Sequence, residues 1–399
     1  KQQRPFLCLR SDRGEHVLPD YPAVEEARMT YPPFCPNPHC SDHWHTHSPS
    51  RRWWILDGCY RSRLSGRVQR YRCTSCGSRF SEATFSVYYF AKKRINLYRL
   101  KKLLTNGSSI RAAARQLNVS PTTIIQRCML LCRQSIACHA ELLADLTARE
   151  ALVADGFQSF WVSQFHPNNF NLLAGATSQY LFAMTQATLR RGGTMTPAQK
   201  RKRRHIERLD PPDPGLLSRS FQELLETAQR LWARMPAAQR ELRTDKHQCY
   251  PGCLARCTVD HVTHIRVSSK EPRTRYNPLF TVNYLDRELR KDLAEHHRET
   301  VCFARNAALS TARMWIYLVS HNYEKPYRIS PRRGLTHAEM AGISTQALRR
   351  VRRRMLTRRA FFTRALLDHT LRMVWIAAIP TPERANRINR RLTPGYCVA

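Results

Sequence analysis

Acidic residues are scarce in this sequence. Its 399 residues hold 30 Asp and Glu against 66 Lys and Arg, a formal net charge of +36. A chain this basic repels itself unless a polyanion neutralises it, and nucleic acid does so with release of counterions. The imbalance excludes an ordinary acidic metabolic enzyme but says nothing about chemistry. Long apolar runs are also missing. No stretch of about 18 apolar residues occurs, so no membrane span is expected. No secretory signal pattern is visible from Lys1, so the fourteen cysteines are not expected to form a disulfide framework. Lysine is rare as well, with 11 of the 66 basic residues against 55 arginines. Arginine forks onto phosphate and stacks on bases. GC-rich codon usage would also favour Arg over Lys, yet it leaves the excess of base over acid unexplained. The hydrophobic fraction of 42% is enough to build a core, so disorder is not expected. At roughly 100–200 residues per domain, two to four domains fit.

The cysteines that are present fall into a pattern. Cys35 and Cys40 enclose Pro-Asn-Pro-His, and Cys73 and Cys76 form a Cys-x-x-Cys followed by Gly77. Two close pairs, each on a tight turn, can supply four thiolates to one tetrahedral Zn²⁺, as in a zinc ribbon. Two reduced thiol pairs in a core are the plainer alternative. Trp53–Leu56 and Gln69–Arg72, between the pairs, read as strands. His43, His45, His47 and Cys59 also lie between them, but four cysteines already satisfy the metal. Cys249, Cys253 and Cys257 recur every four residues, a helical stripe of buried thiols rather than a second site.

Residues 95–104 are apolar at helical spacing and stop at Asn106-Gly107. An Ala-rich helix follows from Ser109 and ends at Asn118. Ser120 can cap the next helix, with Pro121 in its first turn. This is the layout of a helix-turn-helix, although any helical hairpin would share it. Ile110, Leu117, Val119 and Ile124 would pack the two helices together. Thr122, Thr123, Gln126 and Arg127, at the start of the second helix, would face base edges in a major groove.

In so basic a chain, apolar strands that end in acids are informative. Asp155 follows Ala151-Leu152-Val153-Ala154, and Asp245 ends Glu241-Leu242-Arg243-Thr244. Residues 179–185 and 261–267 are further strands. A later helix carries Asn283, Asp286 and Arg290 on one face. Acids at strand ends plus one on a helix can converge on a pair of Mg²⁺ ions, the logic of a ribonuclease-H-like phosphoryl-transfer core. A single Asp at a strand end is more often a cap, so the set weighs more than its members. Residues 190–236 read as an insertion into that core, with Lys200, Arg201, Lys202 and Arg203 basic enough to lie along DNA. A solvated loop is the alternative. The Arg349–Arg354 run could track a phosphate backbone, fold back on the core, or form a charged helix face.

From residue 31 to about 325 the chain resembles bacterial insertion-sequence transposases with an acidic triad, closest to the insertion-sequence-one type. The resemblance is carried by Arg70-Tyr71-Arg72-Cys73-Thr74-Ser75-Cys76 followed by Arg111-Ala112-Ala113-Ala114-Arg115. It continues with Thr244-Asp245, with His264–Lys270, and with Arg298–Arg305. It implies an α/β multidomain protein: an N-terminal arm (1–30), a zinc ribbon (31–90), a helix-turn-helix domain (91–145), a ribonuclease-H-like catalytic domain (146–330) with the insertion, and a basic helical C-terminal region (331–399). It further implies binding of terminal inverted repeats, then Mg²⁺- or Mn²⁺-dependent cleavage and strand transfer on double-stranded DNA. A homodimer or higher multimer in the bacterial cytoplasm, associated with the nucleoid, would act on paired ends. Asp155 matches the first acid and Asp245 the second. Asn283 falls at the family's third position, so Asp286 is the nearest candidate, with Glu299 and then Glu288 behind it. If no acid fills that place, a catalytically inactive, transposase-derived DNA-binding regulator is the alternative. An RNA-binding zinc-ribbon protein is a third.

Overall fold

A computed structural model of the chain describes residues 31–45, 52–211, 213–297, 300, 302–328, 334–365 and 367–383. The expected N-terminal arm and Glu299 lie outside these residues.

A short helix α1 (Ser41–Trp44) precedes three antiparallel strands, β1 (Trp54–Ser62), β2 (Gly66–Cys73) and β3 (Arg79–Ser81). Their small core is aromatic: Trp53, Tyr71, Phe80 and Phe85 pack with Phe361 from far along the chain. Three helices follow: α2 (Leu97–Thr105), α3 (Ile110–Gln116) and α4 (Pro121–Ala144). Each N-terminus is capped by the side chain before it. Asn96 accepts from the Arg99 amide, Ser109 from Ala112 and Ser120 from Thr123. Pro121 opens α4 at a position where its missing N–H costs nothing.

The second sheet has five strands, β4 (Leu152–Phe160), β5 (Pro167–Gly175), β6 (Leu181–Thr188), β7 (Glu241–Asp245) and β8 (Thr263–Val267), in the order β6-β5-β4-β7-β8. β5 runs antiparallel to both neighbours, while β4, β7 and β8 are parallel. Between β6 and β7 come α5 (Pro197–Leu209) and α6 (Leu216–Trp232), and between β7 and β8 comes α7 (Cys249–Leu254). Strand periodicity sorts the side chains onto two faces. Leu152, Ala154 and Leu242 pack toward α6 and α7 with Phe221 and Tyr250. Val153 and Val267 face the other way, onto Leu279 and onto Val282 of the helix that follows it, α8 (Phe280–Asp292).

The remaining helices are α9 (Ala307–Tyr323), α10 (His337–Met340), α11 (Thr345–Thr357) and α12 (His369–Trp375). α9 is buried at every residue but Leu309, its polar Arg313, His321 and Asn322 included, and packs along α4.

Two boundaries differ from those expected. Residues 190–236 are not all a peripheral insertion. α6 buries Phe221, Leu224, Leu225, Ala228, Leu231 and Trp232 at helical spacing and covers β6 and β5. Each of these large side chains contributes roughly 1.5–3 kcal/mol of burial, so α6 is part of the core, and only α5 lacks buried residues. The helix-turn-helix is likewise not a separate body. Leu100, Ala113, Ile124 and Cys128 join one continuous core with the sheet and α9. The strand β5 was not foreseen, because Pro167-Asn168-Asn169 reads as a turn. Its Asn168, Asn169 and Asn171 are buried instead, and the last two are linked by hydrogen bonds. Asn169 donates to Asn171 (2.6 Å), which donates to Ser220 (3.0 Å).

Candidate functional site

The four cysteines singled out by spacing come together. Cys35 and Cys76 lie 3.6 Å apart at sulfur, and Cys40 and Cys73 lie 3.7 Å apart. All four sulfurs fall within 4.8 Å of one another. Tetrahedral bonds of about 2.3 Å to a Zn²⁺ would separate the sulfurs by about 3.8 Å, so the cluster has the dimensions of a structural metal site. Its turns are built by the backbone. The Gly77 amide donates to the Cys73 carbonyl (3.0 Å), and the Cys40 amide donates to Asn37 (3.1 Å). Gly77 has φ +71°, which suits a residue without Cβ. Burial pushes the Cys35 thiol up strongly and Cys73 up to about 11. Burial acts the same way on Cys76, but hydrogen bonds from Ser78 overcome it and hold that thiol at about 6. His43 is no competitor for the metal. Its ring bonds the Cys35 carbonyl (2.7 Å) and the Thr363 hydroxyl (2.7 Å).

The acids expected at strand ends differ in place: Asp245 does end β7, but β4 does not stop at Asp155 and runs on to Phe160, because its pairing with β5 continues to Pro167. Leu152 pairs with Leu242 and Val153 with Arg243. The same parallel register, carried two residues further, sets Asp155 level with Asp245 and on the same face. Asp155 accepts from the Gly156 amide (2.7 Å) and Asp245 from the His247 amide (2.9 Å). Burial first, and the charge of Asp245 second, raise Asp155 to about 6 against the pull of Gly156 and Arg273. Both acids also raise the buried Tyr250 hydroxyl, after burial itself.

The helix α8 crosses the same face. Val282 packs on Val153, and at the other end Arg290 sits 4.8 Å over the Phe157 ring and donates to the Gln158 carbonyl (3.2 Å). Val153, Asp155 and Phe157 share a strand face, while Val282, Asp286 and Arg290 share a helix stripe. Asp286 is the middle position of that stripe and is half-buried. These carboxylates are more widely spaced than the cysteines, which are the one set of His, Cys, Asp and Glu within 4.8 Å among the described residues. Two divalent cations about 3.5–4 Å apart would need such a wider donor set.

Glu288 is committed elsewhere. It pairs with Lys291 (2.7 Å) and Lys325 (3.4 Å), and although burial raises its pKa, these lysines bring it below the usual range. Asn283 lies half-buried on α8. Cys253 is buried against Ser218 and Cys249 begins α7, but the helix ends at Leu254, so Cys257 falls past it and the expected stripe of buried thiols on one helix is incomplete. Arg273, close enough to act on Asp155, was missed by sequence reading because it lies in a loop without apolar periodicity.

The expected nucleic-acid residues divide. Thr122 and Gln126 are exposed at the start of α4. Thr123 is half-buried, 3.0 Å from the Ser120 hydroxyl. Arg127 is turned inward and donates to the Val87 carbonyl (3.0 Å), so it does not extend from the helix as a base reader would. On α5, Lys200, Arg201 and Lys202 are exposed, while Arg203 is held by Glu207 (3.4 Å) and the Arg191 carbonyl (3.0 Å). α11 folds back on α4 through Leu348, Val351 and Met355, leaving Arg349, Arg350 and Arg353 outward. No helix among the described residues is long and apolar enough to cross a membrane. No protein-family model matches the chain, and no curated protein does.

Proposed function

We propose that this protein cuts and joins DNA strands, as the insertion-sequence transposases it resembles do. Its ribonuclease-H-like core would hold Mg²⁺ or Mn²⁺ through Asp155, Asp245 and Asp286, and its ribbon a structural Zn²⁺. The observation that carries the reading is the parallel β4–β7 register, which sets Asp155, in mid-strand on β4, level with Asp245 at the C-terminal end of β7, on the sheet face that α8 with its acid Asp286 crosses. The sheet order, with β5 as the antiparallel member second from the edge, supports it.

The residues divide the work by charge. A phosphodiester is drawn in by Lys246, Arg266, Lys270, Arg273 and Arg275, exposed around the strand ends. The acids then supply the hard oxygen donors that a divalent cation takes. When bound, such cations stabilise the attacking and leaving oxygens at phosphorus. Asp155, raised to about 6, is still ionised at neutral pH. In this reading Thr122 and Gln126 meet base edges in the terminal repeats. Lys200, Arg201 and Lys202 follow the backbone of the same or the target duplex. Two or more copies bring paired ends together.

The test is strand cleavage and transfer on end DNA with Mg²⁺. Asp155→Asn and Asp245→Asn should each abolish it, and Asp286→Asn should do the same while Asn283→Ala does not. Undiminished transfer by Asp155→Asn or Asp245→Asn would sink the reading. Binding of end DNA without cleavage in Mg²⁺ or Mn²⁺ would instead favour the DNA-binding regulator. Preference for RNA over duplex DNA would favour the RNA-binding protein.

A further inference from the structure

The loop joining β8 to α8, residues 268–279, has no part in the site described so far beyond lending charge. Its path is set by its two ends. β8 ends at Val267, the register partner of Asp245. The loop returns to the sheet at Leu279, which packs with Val282 on Val153, two residues before Asp155. It therefore leaves beside one acid and lands beside the other. Its exposed residues include Lys270, Arg273 and Arg275, and Arg273 stands close enough to Asp155 to oppose the rise in its pKa.

The same loop carries Tyr276, 77% exposed. A ring this bare is held out deliberately. The Arg275 guanidinium sits 4.7 Å from its centroid and hydrogen-bonds its hydroxyl. The loop beneath is stiffened from within. Asn277 donates to the Pro272 carbonyl (2.9 Å) and accepts from the Leu279 amide (2.8 Å), and the Glu271 carboxylate accepts from the Ser268 amide (3.3 Å). The ring is thus presented by a fixed scaffold, not buried by it, and one face stays open.

We propose that this loop is a strand clasp, in which Arg273 takes a backbone phosphate beside the acids and Tyr276 stacks on an unpaired nucleobase. The inference rests on the nucleic-acid reading above and narrows its substrate to DNA opened at the reacting position. In a duplex each base is covered by its neighbours, so a protruding ring can stack only on a base that is single-stranded or turned out. Stacking tolerates any base, so the clasp would hold the strand without choosing its sequence.

The experiment uses the full chain and fluorescence anisotropy, with labelled dT20 and the dT20·dA20 duplex as probes in Mg²⁺. Tyr276→Ala should weaken dT20 binding about tenfold, the effect of losing one stacked base, and duplex binding by less than about twofold. Tyr276→Phe, which keeps the ring, should bind like wild type. Arg273→Gln should weaken both probes and lower their dependence on salt. A silent Tyr276→Ala, an equal loss on both probes, or a Phe variant as weak as Ala would overturn the clasp. These outcomes are separate from the cleavage test. If Asp155→Asn still abolishes cleavage while Tyr276→Ala changes nothing, the clasp fails alone, whereas retained cleavage in Asp155→Asn removes the reading on which it rests.

Discussion

Replacing Asp155 by Asn should make the protein more stable at neutral pH when no divalent cation is added. Asp155 is raised from 3.8 to about 6, by burial first and by the Asp245 charge second. Above about pH 6 it is ionised in both the folded and unfolded states, and the folded state carries the full cost. Between about pH 4 and 6 the folded chain binds more protons than the unfolded one, so this group's contribution to stability falls as pH rises through that window. Below about pH 4 the cost is gone. A shift of roughly two units corresponds to about 3 kcal/mol. Asp155 is only partly enclosed, so water recovers some of this, and about 1–2 kcal/mol is expected. The amide keeps its oxygen for the Gly156 amide and carries no charge. With an unfolding entropy of about 2 cal/mol/K per residue, a cooperative unit of this size gains roughly 1 °C of Tm per kcal/mol. Calorimetry at pH 7.5 without added Mg²⁺ should therefore show Asp155→Asn melting about 1–2 °C above wild type, with the difference closing near pH 4. Added Mg²⁺ should raise the wild type and not the variant. The reasoning is refuted if Asn melts below wild type without divalent cation, or if the difference is the same at both pH values.

Three other outcomes follow from the packing. Cys73→Ser should abolish metal binding by the four-cysteine cluster in metal analysis and also speed amide exchange in residues 358–364, because the Arg359 amide donates to the Phe85 carbonyl (2.8 Å) and Thr363 bonds His43 (2.7 Å); metal loss with unchanged exchange there would show the two to be independent. Gly156→Ala should cost about 2 kcal/mol in urea unfolding, since its Cβ would stand 2.4 Å from the Asn169 side-chain oxygen and push apart the Asn169–Asn171 bond; a neutral result would mean that Asn169 can move freely. Arg313→Ala should cost about 3–5 kcal/mol, as the buried guanidinium pairs with Glu295 and also donates to the Leu104 (3.1 Å) and Ser108 (3.2 Å) carbonyls at the end of α2; calorimetry showing a loss below about 1 kcal/mol would place that pair in a solvated setting.

Much of the local structure was legible. Ser109, Ser120 and Pro121 mark helix starts because a side-chain oxygen or a missing N–H acts within one turn, wherever the helix later packs. The strand ending at Asp245 is read from apolar alternation and an acid that stops it. β5 escaped because three asparagines look like turn formers, and only the fold shows Asn169 and Asn171 bonded to each other and to Ser220. Arg127 was read as outward because a helix position does not reveal that the Val87 carbonyl lies within its reach.

By itself, then, the sequence determined the excess of positive charge, the two cysteine pairs at knuckle spacing, the caps, and the strand that ends at Asp245, whereas β4 runs past Asp155 to Phe160. These depend on residue type and on separations of a few residues. The tertiary structure decided everything that depends on register and crossing. It brought Cys35 to Cys76 across 41 positions, levelled Asp155 with Asp245 through the β4–β7 register, and set Asp286 and Glu288 on different sides of α8. Along α8 the two acids are only two residues apart. A turn of 100° per residue puts them about 200° apart, and Glu288 is the one that meets Lys325.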